Sequence, residues 1–536
     1  MFTFDPNHYP YASRRSAVYA KRGMVATSQP LAAHAGLTVL QAGGNAIDAA
    51  IATAAALTVV EPTANGIGGD AFALIWHKGE LHGLNSSGAA PRAISIDKLH
   101  AAGHQSMPKY GALPITVPGT PGAWAGMAER FGKLPLERSM AGAIALAQDG
   151  YPVSPMVAFA WQQAYKLFQQ EFKDAHFQSW FDTFNVGGRA PRAGEVWRSQ
   201  GHADTLRAIA ADNGASFYRG ALAGEIAAFV RSAGGYLDSA DLAAYQPQWV
   251  APISSNYRGY DVWEIPPNGH GLVALLALNI LKGFDFSERD TLLTCHRQIE
   301  AIKLAYADGL AHIADSGHMR VAVEDLLSDA YADERRQLIG ARAALPVAGQ
   351  PSRGGTVYLS TADDEGNMVS FIQSNYMGFG SGLVVPGTGI ALHNRGNNFT
   401  LDAAHPNCLA PGKRPYHTII PGFLTKDGKA VGPFGVMGGF MQPQGHVQMI
   451  MNTVDFGLNP QSSLDAPRWE WEGGNNVSIE HTSAEHLFRG LRGLGHEASW
   501  SANQLGFGRG QIIWRDQHGV LCGGTEPRTD GCVAAW

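Results

Sequence analysis

Cysteine is scarce. Four occur in 536 residues, Cys295, Cys408, Cys522 and Cys532, with no C-x-x-C spacing. They indicate neither a disulfide framework nor a zinc site, and free thiols in a reducing compartment are the simpler reading. Charge is sparse too, at 16% Asp, Glu, Lys and Arg, with a net charge of −6 and no dense Lys/Arg block. The electrostatic footprint of a nucleic-acid binder is absent. The longest apolar run, residues 49–60, is twelve long. A bilayer-spanning helix needs about twenty. The opening MFTFDPNHYPYASRR has no apolar stretch ahead of its basic pair, so it is not a secretory signal. These absences point to a soluble cytoplasmic protein with no membrane or nucleic-acid partner. No HExxH, GxSxG or P-loop pattern occurs, so no metal and no cofactor is implied.

What is present is a globular composition, 45% apolar, in a chain long enough for two domains or one large layered domain. Glycine is abundant, 65 residues, where about 7% is usual, which predicts many tight turns and close backbone approaches. Residues 30–60 predict two helices parted by Gly43-Gly44, the second capped by Asn45 with Asp48 in its first turn. Gly66, Gly68 and Ala71 formally fit a dinucleotide fingerprint. The order helix, turn, strand is wrong for one; a strand over 71–77 follows instead. Helical periodicity marks 136–150, 203–213, 222–233 and 292–314, with a strand at 260–265. Residues 333–353 predict an exposed linker. Beyond it strands are expected at 356–360, 368–373 and 418–424.

The segment 354–376 is the most informative. Asp364-Glu365-Gly366 suits a three-residue hairpin loop with Gly366 in the left-handed position. Paired residue numbers then sum to about 730, so Thr356 faces Ser374 (356 + 374 = 730), within roughly 5 Å give or take a bulge. A threonine hydroxyl needs an adjacent base to act as a nucleophile. An α-amino group, with a pKa near 7.7–8.0, is such a base, and it exists only if the Gly355–Thr356 bond is cut. On spacing alone, an ordinary hairpin with two exposed hydroxyls is the simpler reading.

Motifs along nearly the whole chain add to this. They include AxxAGLxVLQAGGNAIDAAIA at 32–52, NGIGGDAF at 65–72, VPGTPGAW at 117–124 and AIALAQDGYPVS at 143–154. EAIKLAYAD at 300–308, GGT at 354–356, GFGSG at 378–382, KRP at 413–415, MGGF at 437–440 and EPR at 526–528 follow in order. In these the chain resembles the γ-glutamyltransferase family of self-processing N-terminal-nucleophile hydrolases. The resemblance implies an α+β fold, a four-layer αββα sandwich. It also implies self-cleavage into a large chain, 1–355, and a small chain, 356–536, which stay associated as one domain and can pair further into a dimer of such units. It places the nucleophile at Thr356, a second hydroxyl at Ser374 and the oxyanion hole at Gly438 and Gly439. It implies no cofactor.

The substrate positions depart from the family's glutathione-cleaving members. Their carboxylate-binding arginine falls on Ser87, and their serine pair falls on His417 and Thr418 in KRPYHT. The glutamine and aspartate that receive the α-ammonium fall on Arg395 and Asn398, near Asn394, with Tyr376 on the hairpin end. The lid between Asp402 and Lys413 is nearly absent. Losing the aspartate and gaining an arginine disfavours an ammonium and suits a planar carboxylate. Within the family this implies an amidohydrolase of a small anionic substrate, with oxamate, cleaved to oxalate and ammonia, as the leading expectation. Two alternatives are γ-glutamyl hydrolysis or transfer, and a non-catalytic protein keeping the fold. Intact Thr356, Ser374, Gly438 and Gly439 argue against the last. His270 is read as loop structure.

Overall fold

The structure, a computed structural model, describes residues 10–11, 15–346 and 355–536. Most of the N-terminal segment read above, the end of the 333–353 linker and Gly354 lie outside the described residues.

The predicted helix pair forms, Pro30–Gln41 and Ala46–Val60. Asn45 caps the second by accepting from Ile47 N and Asp48 N, while Asp48 accepts from Asn45 N, a reciprocal capping box. All fifteen residues of Ala46–Val60 are buried, so this helix is held by packing rather than by an amphipathic face. The first helix crosses it at Gly36, where a Cβ would lie 2.2 Å from Thr53 Oγ1 and 3.0 Å from Ala49 O.

Two seven-stranded antiparallel sheets stack between helices. One runs in the order Cys532–Ala535, Gly23–Thr27, Gly355–Asp363, Met368–Tyr376, Asp70–His77, Glu80–Ser86, Gln248–Val250. Ala46–Val60 packs on its outer face. The other sheet runs Val18–Ala20, Leu521–Thr525, Arg509–Arg515, Lys429–Met437, Gly422–Lys426, Tyr260–Glu264, Ile253–Tyr257. It is covered by the helices Gly271–Leu281 and Met441–Val454. The protein is thus a four-layer αββα sandwich, as the resemblance implied. Each sheet mixes strands from before and after residue 356, so neither stretch could complete a sheet alone.

Across the inner faces, Lys429–Met437 lies over the hairpin. A Cβ on Gly432 would come within 3.1 Å of Met368, and one on Gly435 within 2.4 Å of the Tyr358 ring. The strand therefore advances from the turn end of the hairpin toward its open end.

Two expectations are corrected. The strand predicted at 418–424 is Gly422–Lys426. Pro421 cannot donate to a ladder, and the preceding amides serve side chains: Ile419 N donates to His417 Nδ1 at 3.4 Å and Ile420 N to Gln442 Oε1 at 3.0 Å. The linker begins later than residue 333, because Asp329–Arg336 is a helix capped by Ser328. Residues 343–344 are tied down, Ala343 N to Leu494 O and Ala344 N to Glu300 Oε2. His270 lies in the turn as read, where it is the buried N-cap of Gly271–Leu281, ringed by Tyr306, Tyr416 and Phe440.

Candidate active site

The hairpin ladder runs from Ala362–Met368 to Val357–Gln373, every pair summing to 730, and Gly366 is left-handed (φ 88°) as the turn requires. It then slips, and Gly355 pairs with Tyr376. In this bulge the Thr356 hydroxyl donates to Ser374 Oγ at 3.2 Å, with both residues 1% exposed. Ser374 Oγ also accepts from Tyr376 N at 2.8 Å. Tyr376 has φ 73°, a strained conformation for a bulky residue, costing about 1–3 kcal/mol. Its ring lies 4.4 Å from the Arg395 guanidinium carbon, a cation–π contact.

Arg395 is not a surface arginine. It opens a short 3₁₀ turn, Arg395–Asn398, and is fully buried. Its Nη1 donates to Thr418 Oγ1 at 2.6 Å, while Nε and Nη2 are buried without a hydrogen-bond partner. An unmade hydrogen bond on a buried charged group is expensive, which marks these two N–H groups as aimed at something. Burial pulls the guanidinium down to about 10, and Asp70 partly offsets this.

Asp70 and His393 were not singled out from the sequence. Asp70 heads the strand Asp70–His77 and pairs in register with Ser374. Its Oδ2 lies 3.0 Å from His417 Nε2 and its Oδ1 accepts from Gly119 N at 3.2 Å. Burial pushes its carboxyl up to about 7 against Arg395 and the Gly88 and Gly119 N–H groups. The pocket therefore contains a carboxylate after all. Its signal was visible: an acidic residue closing a glycine turn directly ahead of the apolar run AFALI.

The two histidines are neutral. His393 Nδ1 accepts from Arg395 N at 3.1 Å and its Nε2 lies 3.1 Å from Thr116 O, so the proton sits on Nε2. His417 Nδ1 accepts from Ile419 N, so its Nε2–H donates to Asp70. Burial and Arg395 lower His393 to about 3 and hold His417 well below the ordinary histidine range.

The remaining candidates hold the frame. Asn394 bridges Lys109 O and Met377 N. Asn398 donates to Tyr416 O at 3.0 Å. Ser87 Oγ donates to Asn85 Oδ1 at 2.7 Å, and its carbonyl accepts from Arg414 Nε. These amides and this hydroxyl are committed within the protein, unlike Arg395. Gly438 (φ 137°) and Gly439 (φ 60°) link Met437 to the helix Met441–Val454. The overlay of Lys429–Met437 carries them toward the Thr356–Ser374 end. An open cavity of about 590 Å³ beside Trp76, Lys426, Lys429 and Arg515 lies elsewhere, since Trp76 pairs with Met368 at the turn end.

Among the described residues, one group has the spacing to hold a metal ion, His296, Glu300 and His496. Its facing atoms already engage one another, His296 Nδ1 lying 2.9 Å from His496 Nε2, while His496 Nδ1 is buried without a partner. Lys303 Nζ lies 2.7 Å from Glu300 Oε1, Ala344 N donates to Oε2, and His296 Nε2 lies 2.9 Å from Gly340 O.

The gamma-glutamyltranspeptidase family model matches residues 32–536. The chain is 35% identical over 529 residues to the glutathione hydrolase-like YwrD proenzyme of Bacillus subtilis, covering 96% of this chain and 99% of that protein. It is also 35% identical over 535 residues to the oxamate amidohydrolase proenzyme of Klebsiella pneumoniae, covering 97% and 100%. The crystal structure of a cephalosporin acylase from Bacillus halodurans superposes with a TM-score of 0.96 at 63% identity, covering 100% of this chain and 99% of that one. The chain belongs to the gamma-glutamyltranspeptidase family and is a hydrolase acting on amide bonds.

Proposed function

We propose that the precursor cuts itself between Gly355 and Thr356, and that Thr356 then hydrolyses the amide of a small carboxylate-bearing acyl group. A serine hydroxyl is no base, so the Thr356–Ser374 pair needs the α-amino group that cleavage creates. That amine takes the Thr356 hydroxyl proton as Oγ1 attacks the carbonyl. The Gly438 and Gly439 N–H groups receive the oxyanion, a term worth about 3–4 kcal/mol per donor. The leaving amine departs protonated, and water, deprotonated by the same α-amine, releases the acid from the acyl-threonine.

One observation carries the substrate class. Arg395 is fully buried, two of its N–H groups are open, and its stacking partner Tyr376 is hydrogen-bonded to Ser374. A buried fork of this kind suits a carboxylate bound through two charge-assisted bonds. Oxamate is the smallest such amide, and a relative spanning this whole chain bears that activity in its name. The likeness at 63% identity to a protein named as a cephalosporin acylase favours a second reading, an amide larger than oxamate with a carboxylate on the same arginine. An α-ammonium is less suited, because Asp70 already serves His417 and Gly119.

A single panel tests this. Hydrolysis of oxamate, glutaryl anilide and γ-glutamyl anilide is compared, and the small chain is sequenced from its N-terminus. We expect Thr-Val-Tyr-Leu, and turnover of oxamate or glutaryl anilide well above γ-glutamyl anilide. The two anilides differ only in the ammonium, so a γ-glutamyl preference sinks the substrate reading. A different N-terminus sinks the mechanism.

A further inference from the structure

We propose that Asp70 is a positioning and specificity residue that balances the Arg395 charge in the free enzyme and takes up one proton from solvent when a substrate carboxylate claims that guanidinium. The proposal rests on the reading of Arg395 as the carboxylate anchor. It begins from geometry: one buried cation, one buried anion, and two neutral imidazoles wedged against the anion, with His417 Nε2 at 3.0 Å and His393 Nε2 at 3.8 Å. A second anion brought to Arg395 withdraws the countercharge that keeps Asp70 ionised. Two carboxylates sharing one buried cation cannot both stay charged cheaply. The processed site offers two proton acceptors. One is the α-amino group of Thr356, the residue hydrogen-bonded to Ser374, and the other is Asp70, which pairs in register with Ser374. The Asp70→Asn variant separates them, and Asp70 is the one whose charge the guanidinium balances. A carboxyl already pushed up to about 7 needs little further cost to become neutral, whereas both histidines resist protonation through burial and the nearby guanidinium.

The other groups facing Asp70 do not supply that proton. Tyr218 and Tyr245 are neutral phenols that burial holds above their ordinary range. Arg414 adds a weaker positive field. Gly88 and Gly119 contribute backbone N–H groups, and His270 stands behind His417. When Asp70 is neutral it can still accept from Gly119 N at Oδ1 and from His417 at Oδ2, so the ring behind Thr418 stays in place. The consequence is directional. Well below pH 7 the carboxyl is already protonated and anion affinity is flat. Above pH 7 a proton must be taken up, and affinity falls about tenfold per pH unit.

The test is calorimetry of the processed enzyme with oxalate, in two buffers of different ionisation enthalpy, at pH 5.5 and 8. We expect uptake approaching one proton per site at pH 8 and much less at pH 5.5. Asp70→Asn should bind oxalate with no uptake and no pH dependence, and Arg395→Ala should not bind it. Heats independent of buffer at pH 8 in the wild type overturn the proposal, and that arm decides alone if Asp70→Asn fails to fold. Uptake that survives in Asp70→Asn, or vanishes only in His417→Gln, also overturns it. Failure of oxalate to bind even at pH 5.5 removes the carboxylate reading of Arg395 and this inference with it. Binding without uptake removes this inference only.

Discussion

Arg395 and Arg528 are both deeply buried, 0% and 4% exposed, yet they sit in opposite circumstances. Arg528 forks onto Glu480, with Nε to Oε1 at 2.9 Å and Nη2 to Oε2 at 2.5 Å. It also reaches Glu526 and the carbonyls of Leu464 and Ala466. Burial pulls its guanidinium down, but Glu526 and Glu480 outweigh this and raise it. Arg395 has one hydroxyl partner, a ring face and two open N–H groups, and burial wins. An arginine that builds structure has its fork filled by the fold. One that keeps part of its fork open carries a standing cost, which a ligand can relieve.

Replacing Thr356 tests the frame that makes the contrast matter. Thr356→Ala should remain a single chain on a gel and have no amidase activity, whereas Thr356→Ser should be processed and retain some. An active, uncut Thr356→Ala protein would remove the reason for calling Arg395 functional. Next comes Arg528→Leu, which leaves Glu480 buried without its cation, while Glu526 keeps only Arg468. We expect a loss of roughly 3–5 kcal/mol in denaturant unfolding, and little soluble protein if the fold is marginal. Arg395→Ala should do the reverse. Thermal stability should hold or rise, since no filled fork is lost, while kcat/KM for the best carboxylate amide falls by roughly 2–4 kcal/mol, about 30- to 1000-fold. Arg395→Lys keeps the charge without the fork and should fall between.

The smallest expected effect concerns acyl transfer. The 402–413 segment is a short turn, and Leu401 and Leu409 pack with Ala90, Leu99 and Met107 rather than forming a long flap. Water should reach the acyl-threonine freely. Added glycylglycine should neither speed turnover nor appear in the products by mass spectrometry. A dominant transfer product would reveal an acceptor site and a pocket drier than this contrast assumes.

Local rules carried the hairpin and failed at the pocket. Turn chemistry at Asp364-Glu365-Gly366 set the register, and the register alone placed Thr356 beside Ser374. The helices followed equally directly from Asn45, the glycine pair and periodicity. Arg395, Thr418, Asp70, His393 and His417 come from segments up to 348 positions apart (418 − 70 = 348). No propensity or spacing rule joins them; loop bridges such as Gly68–Leu392 and Gly269–His417 bring them together. The resemblance aligned Arg395 with a substrate position, but its open fork and its carboxylate neighbour became visible only in three dimensions. The same holds for Asn394, Asn398 and Ser87, whose aligned positions gave no hint that their polar groups are occupied by the backbone and, for Ser87, by Asn85 and Asn268.

The most direct test compares a substrate with and without its charge. The best carboxylate amide from the panel is paired with its carboxamide counterpart, oxamate with oxamide for example, and kcat/KM is measured for both in wild type and Arg395→Ala. The account predicts that the wild type prefers the anion by about 30-fold or more and that Arg395→Ala brings the ratio close to one. An unchanged ratio in Arg395→Ala would contradict it, and would leave the two open N–H groups of Arg395 without a function.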